Sequence, residues 1–223
     1  MIAPPAKDAL IIAVDGPAAS GKGTIAQALA VLYRLPSLDT GLLYRAVGVL
    51  TQRRTGALEP ADAEWVARSL NPGALGDPNL RTREAGELAS RVAAIPKVRS
   101  ALLEFQRAFA VQPGGAVLDG RDIGTVIAPD ARAKLFVTAR PEIRAERRWR
   151  QLGAQGERVS IETVLEDIRV RDQRDSGRSA APLVRAEDAV LLDTSEMSID
   201  EAVDAARRIV ETARLSSDSQ PRG

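Results

Sequence analysis

Gly16-Pro17-Ala18-Ala19-Ser20-Gly21-Lys22-Gly23-Thr24 is the stretch whose reading decides the fold. It follows a short, mostly branched apolar run, Leu10-Ile11-Ile12-Ala13-Val14, that ends in Asp15-Gly16. It precedes Ile25, Ala28, Leu29 and Leu32, whose i, i+3, i+4, i+7 spacing marks a helix with one apolar face. Strand, glycine loop and a helix with lysine at the turn form the P-loop pattern, G-x-x-x-x-G-K followed by a hydroxyl residue. Gly16 and Gly21 allow a tight backbone turn that points several N–H groups at a phosphate chain. The helix opening near Lys22 adds partial positive charge, and the lysine ammonium reaches the outer phosphates. A hydroxyl at this turn can hold Mg²⁺. Here Gly23 takes the usual Ser/Thr place and Thr24 comes one residue later. A nucleotide-phosphate site is expected. What receives the phosphate has to come from the rest of the chain.

At 223 residues the chain suits one α/β domain with small mobile lobes. A net charge of +1 gives no electrostatic case for a nucleic-acid or membrane partner. Cysteine is absent, which excludes disulfides and thiolate chemistry. Histidine is absent too, which excludes an imidazole base, a Ser-His triad and the usual zinc sites. Any chemistry runs on Asp, Glu, Lys, Arg, hydroxyls and bound metal, and phosphoryl transfer between nucleotides needs only these. Lysine stands only at Lys7, Lys22, Lys97 and Lys134, so one of few lysines sits where a flexible point charge is wanted. The start resembles no signal peptide, and no stretch approaches the roughly 20 apolar residues of a membrane span. A cytoplasmic protein is expected.

Strands at 10–14, 116–118, 133–137 and 189–192 alternate with helices at 22–34, 59–70, 82–94, 98–111, from 161 to about 176, and from Ser198 to about 214. A further helix carries Leu43, Val47 and Leu50, another opens at Pro141, and Asn71–Leu80 reads as loop. Residues 1–8 and 215–223 read as loose ends. The alternation predicts a parallel sheet covered on both faces.

In such a sheet the ligand crevice lies beyond the carboxyl ends of the strands. Asp15-Gly16, Asp39-Thr40-Gly41 and Asp119-Gly120-Arg121-Asp122 fall at those ends. Each reads either as a capped or exposed turn or as part of a site. Farther on, Ile161, Leu165 and Ile168 share a helical face, and the same stripe continues through Arg171, Asp175 and Arg178 if Gly177 does not end the helix. That charged end is either solvated, with i, i+4 pairing, or overhangs the phosphates and supplies arginine forks.

Four motifs together resemble the bacterial cytidylate kinases. They are Asp15 through Thr24, Leu38-Asp39-Thr40-Gly41-Leu42-Leu43-Tyr44-Arg45, Asp119 through Thr125, and Arg171-Asp172-Gln173-Arg174-Asp175-Ser176-Gly177-Arg178 with Ala180-Ala181-Pro182-Leu183 beyond. The similarity runs from about residue 10 to 212. It implies a five-stranded parallel sheet of the P-loop nucleoside monophosphate kinase type in a single domain. The monophosphate-binding lobe would span 59–112, and a short lid region 147–180 would bring arginines near 147–160 toward ATP. It also implies transfer of the ATP γ-phosphate to CMP or dCMP with Mg²⁺, by a monomer. On that resemblance Gly16, Pro17, Ala18, Ala19, Ser20, Gly21, Lys22, Gly23 and Thr24 hold the ATP phosphates, with Thr24 toward the metal. Thr40, Arg45, Arg121 and Arg178 meet the acceptor phosphate or its surroundings. Ser90, Arg99 and Asp122 meet cytosine, and Arg171 and Asp175 reach the ribose side. Lys22, Arg121, Arg171 and Arg178 are the expected catalytic groups. The family's usual insert between the positions of Leu70 and Arg81 is clipped here to Asn71–Leu80. The alternatives are a P-loop kinase for UMP, AMP, shikimate or gluconate, or a non-catalytic ATP-binding module.

Overall fold

The computed structural model describes residues 9–218. Strand β1 (Leu10–Asp15) is buried almost throughout, as an unbroken apolar run requires of a central parallel strand. Helix α1 (Lys22–Tyr33) packs Ile25, Ala26, Leu29 and Ala30 inward, and stops at Arg34, whose left-handed conformation (φ 54°) turns its N–H back to Ala30 and Val31. With β2 (Ser37–Asp39), β3 (Gly115–Gly120), β4 (Ala133–Thr138) and β5 (Val190–Asp193) the sheet is five-stranded, in the order β2-β3-β1-β4-β5. Every pairing is parallel, so the expected sheet is borne out.

Side-chain alternation divides β1 between two cores. Ile11 and Ala13 face α2 (Thr40–Thr55), α3 (Pro60–Arg68), α4 (Arg83–Val92) and α5 (Pro96–Ala110), in a cluster with Leu38, Val47, Val66, Leu102 and Leu118. Ile12 and Val14 face α1 and α8 (Ile199–Asp218), with Leu29, Val117, Leu135, Ala206 and Val210. Helices α6 (Pro141–Ala154) and α7 (Ile161–Gly177) form a separate cluster, Ala145, Leu152, Val164 and Ile168, that reaches Ala19 of the glycine loop. At Gly48 an added Cβ would lie 2.8 Å from Leu88 Cβ, so glycine there lets α2 and α4 approach closely.

Local signals place the helix starts. Ser198 Oγ accepts from Glu201 N–H (3.3 Å) while Glu201 Oε2 accepts from Ser198 N–H (2.9 Å), a reciprocal cap on α8. Several expectations need correction. Asn71–Leu80 is not plain loop: Asn71 and Asp77 each accept an amide two residues on (2.8 Å) and start 3₁₀ turns at Pro72–Gly76 and Pro78–Arg81. Helix α5 starts at Pro96, two residues before the expected 98, because proline's missing N–H costs nothing at the first helical position. Residues 215–218, expected in a loose end, continue α8. Residues 1–8 and 219–223 lie outside the described residues.

The strand order fixes the crevice. From β1 the chain crosses to β2 on one side, returns to β3, and then passes to β4 on the other side. The reversal falls between β1 and β3, and their carboxyl ends carry Asp15 and Asp119.

Candidate active site

Gly16 opens the loop with φ 153°, and a Cβ there would stand 2.0 Å from the Val137 carbonyl oxygen. The loop thus lies on β4 so closely that only glycine fits. The first helical bond of α1 runs from Ile25 N–H to Gly21 O (3.1 Å), and no side chain caps the helix. The amides of Lys22, Gly23 and Thr24 are therefore left without helical acceptors. The Ser20 hydroxyl is buried and makes no hydrogen bond. Ala19 holds φ 59°, a left-handed conformation that a non-glycine residue adopts at a cost of about 1–3 kcal/mol. Free amides, an unsatisfied hydroxyl and a helix N-terminus make a fitting cradle for nucleotide phosphates.

Lys22 Nζ lies 3.8 Å from Asp119 Oδ2. Burial, followed by repulsion from Arg121, brings the Lys22 ammonium down to about 8 against the pull of Asp119 and Asp39. Burial and the neighbouring Asp39 push the Asp119 carboxyl up to about 7. Both charges are thus held at a cost in the free protein. β2, β3 and the loop bring them together, since Asp39 pairs in register with Asp119.

A cavity of roughly 680 Å³ opens from this point between α2, α4, α6 and α7. Lys22, Asp39, Arg45, Arg81, Arg121, Arg148 and Arg171 are among its lining residues. Arg45 Nη1 donates to the Leu80 carbonyl at 2.7 Å, and burial with nearby Arg148 brings its guanidinium down to about 10. Burial and Arg121 bring Arg171 likewise to about 10, and its Nε makes no hydrogen bond. Arg121 Nε donates to Asp175 Oδ2 (2.9 Å), with Arg171 Nε 3.7 Å from the same oxygen. Burial raises the Asp175 carboxyl, but the charges of Arg121 and Arg171 outweigh it and hold the group below its ordinary range. Clustered arginines with only partial compensation attract a polyanion.

The sequence model described as cytidylate kinase matches residues 12–212. The chain belongs to the cytidylate kinase family. It is 64% identical over 205 residues to a protein named cytidylate kinase from Caulobacter vibrioides, covering 92% of this chain and 96% of that one. To the protein of that name from Xanthobacter autotrophicus it is 61% identical over 205 residues, covering 92% and 99%. A solved structure of an uncharacterized protein from Eubacterium ventriosum aligns over 91% of this chain and 99% of its own, at 16% identity and a TM-score of 0.55, which speaks for the fold alone.

Against this family background the expected residues divide into groups. Lys22, Arg45, Arg121 and Arg171 line the cavity. Thr40 is buried beside it and donates its hydroxyl to the Asp119 carbonyl (2.9 Å). Ser90, Arg99, Asp122, Asp175 and Arg178 are not among its lining residues and form an inner polar network. Within it Ser90 donates to Asp175 Oδ1 (3.2 Å), and Arg99 donates to Asp122 Oδ2 while its guanidinium lies 5.5 Å from the Tyr44 ring centre. Thr24 is exposed on the first turn of α1.

The expected face of α7 holds at Leu165, Ile168, Arg171 and Asp175 and is corrected at its two ends. Ile161 is 38% exposed, and the buried line is Val164, Ile168 and Asp175, with Arg171 between. Gly177 ends the helix, so Arg178 does not extend the stripe. Its Nε instead donates to Ala181 O (2.7 Å), and its buried Nη2 is unpaired. Arg174 pairs with Glu87 (3.0 Å).

Sequence reasoning missed Asp39 and Asp119 as the counter-charges of Lys22, although their place at strand ends was a signal. It also missed Arg144, which is buried between Asp172 (3.0 and 2.6 Å) and the Ala18 carbonyl (3.3 Å) and so braces the glycine loop from α6.

Proposed function

We propose that this chain transfers the γ-phosphate of ATP to CMP or dCMP, giving ADP and CDP or dCDP. It is an enzyme of the nucleoside monophosphate kinase type. The observation that carries the reading is the meeting of the glycine loop and Lys22 with Arg45, Arg121 and Arg171 around one cavity, in a chain of this family.

The acceptor oxygen belongs to a phosphate that already carries about −1.5 to −2 charge near pH 7. It needs no base, which suits a chain without histidine. The residues align two anions and offset charge as the phosphoryl group passes. Lys22 and the amides of Gly21–Thr24 hold the donor phosphates. Arg45, Arg121 and Arg178 hold the acceptor phosphate, Thr40 stands beside them with its hydroxyl given to the Asp119 carbonyl, and Arg171 and Asp175 meet the ribose side. Ser90, Arg99 and Asp122 read the base: Asp122 gives Oδ2 to Arg99, and Oδ1 remains for the exocyclic amine of cytosine.

Mg²⁺ supplies charge neutralisation on the transferring phosphates when bound, and Thr24 is the hydroxyl suited to hold it. Among the described residues no cluster of three or more Asp, Glu, His or Cys side chains could hold a metal. The lobe at 59–112 and the lid region 147–180 close over the substrates and exclude water. Contacts between them support this, including Arg83 Nη2 to Asp167 Oδ1 (2.8 Å), Arg83 N–H to Glu157 (3.1 Å) and Arg174 to Glu87 (3.0 Å). ATP and CMP as substrates support a cytoplasmic enzyme. No helix among the described residues is long and apolar enough to cross a membrane.

The test is acceptor-dependent ADP release with CMP, dCMP, UMP, AMP and shikimate. CMP and dCMP are expected to give the highest kcat/KM. A faster reaction with another acceptor, or ADP release independent of any acceptor, overturns the reading.

A further inference from the structure

The Asp15 carboxylate is buried at the end of β1, directly before the glycine loop. Its oxygens are both spent on backbone amides across the crevice. Oδ1 accepts from Ile123 N–H and Oδ2 from Gly124 N–H, each at 2.8 Å. Those amides open the tight turn Ile123–Ile127, which immediately follows Arg121 and Asp122. Arg121 reaches the cavity, and Asp122 holds Arg99.

Two convergent N–H donors need two acceptors, and a carboxylate supplies them where an asparagine amide supplies one acceptor and one clashing donor. Burial pushes the Asp15 carboxyl up to about 6, with the two amides working against that rise and Asp122 adding to it. At neutral pH it is an anion whose hydrogen-bonding capacity faces this one turn. At Gly124 an added Cβ would stand 3.5 Å from Asp15 Oδ2 and 3.2 Å from Lys134 Cδ, so the turn rests directly on the carboxylate. A backbone staple that served only folding stability could sit anywhere in the sheet. This one joins the residue before the donor loop to the segment carrying the acceptor-side arginine.

We propose that Asp15 is a positioning residue for the acceptor: by holding the Ile123 and Gly124 amides it sets Arg121 and Asp122 in register with the donor phosphate loop. The proposal rests on the reading of the site as a CMP kinase and names a residue that acts through others, touching neither nucleotide.

Asp15→Asn keeps the size of the side chain and turns one acceptor into a donor facing an amide. The measurements are steady-state kinetics with CMP and ATP, together with calorimetric binding of a non-hydrolysable ATP analogue without acceptor. The expected result is a rise in KM for CMP of about tenfold or more, with the analogue's Kd within about threefold of the parent value. A staple with no positioning role lowers the active fraction and leaves both constants in place, and that outcome overturns the proposal. So does equal weakening of CMP and ATP. Should Asp15→Asn not fold, Asp15→Glu decides, because it keeps charge and both acceptors but displaces the turn by one methylene. The same split, about fivefold in KM for CMP against unchanged analogue binding, is expected. Parallel loss or no change overturns the proposal. Absence of CMP-dependent turnover in the parent protein instead overturns the kinase reading, so the two failures are separable.

Discussion

The Lys22 ammonium is held near its titration point. Burial and Arg121 bring it down to about 8, while Asp119 at 3.8 Å supplies only part of the compensation. A bound triphosphate adds negative charge beside Nζ and lifts the group back toward its ordinary value near 10.4. The sign follows: binding takes up protons wherever the free lysine is partly neutral, and affinity falls as pH rises through 8. At pH 8 a group titrating at about 8 is half protonated, so binding should draw about 0.5 proton per site. Between pH 7 and 9 its charged fraction falls about tenfold, which weakens binding by about 1.4 kcal/mol. Asp119, at about 7, is largely ionised at pH 8, and the triphosphate charge pushes it further up, so any proton it takes adds to the uptake. The assay is calorimetric titration of a non-hydrolysable ATP analogue with Mg²⁺ at pH 8, in buffers of different ionisation enthalpy. The slope of observed against buffer enthalpy gives the protons taken up. Lys22→Met should lower that slope by about 0.5 proton, and Lys22→Ala should lower kcat on the order of 100-fold with the fold intact. A zero slope in the parent protein, or the same slope in Lys22→Met, refutes the reasoning.

Arg178→Ala should cost about 100-fold in kcat/KM, because its buried Nη2 is left unpaired beside the inner network, whereas Arg174→Ala should cost under about fivefold, since a partly exposed pair with Glu87 is worth at most ~1 kcal/mol. Equal, small losses from both would place Arg178 outside the site. Asp122→Asn should lower the preference for CMP over UMP in kcat/KM by roughly 1–3 kcal/mol, as the amide offers a donor to the uracil carbonyl. If the ratio holds while both substrates weaken, Asp122 acts only by orienting Arg99. Asp167→Ala should leave urea stability within about 0.5 kcal/mol and raise KM for both substrates about two- to fivefold by loosening the lobe from the lid. Unchanged KM values would remove the Arg83–Asp167 pair from closure.

Much of this protein is legible in one dimension because the deciding interactions are local. The glycine loop, the helix after it, the proline at the first turn of α6 and the Ser198–Glu201 cap each depend on residues within a few positions, and alternating strands and helices then leave few topologies. The family motifs also lie in short runs, so the residues proposed to meet both nucleotides could be named before any fold was seen. What the sequence could not show is which residue meets which across the crevice. Asp15 meets Gly124 at a separation of 109 residues, Ser90 meets Asp175 at 85, and Arg121 meets Asp175 at 54. The face of α7 shows the reason. Periodicity allowed a stripe through Ile161, Leu165 and Ile168, but α6 and the glycine loop lie against Val164 and Ile168 with Leu165 at the edge, and only that packing decides which side is buried. Arg178 lost its helical position to Gly177 and kept its surroundings, because the network around Asp175 is held by tertiary contacts and not by helix register. Likewise the opposed shifts of Lys22 and Asp119 arise from burial where the loop meets adjoining strand ends, an electrostatic fact that exists only once β2, β3 and the loop have come together.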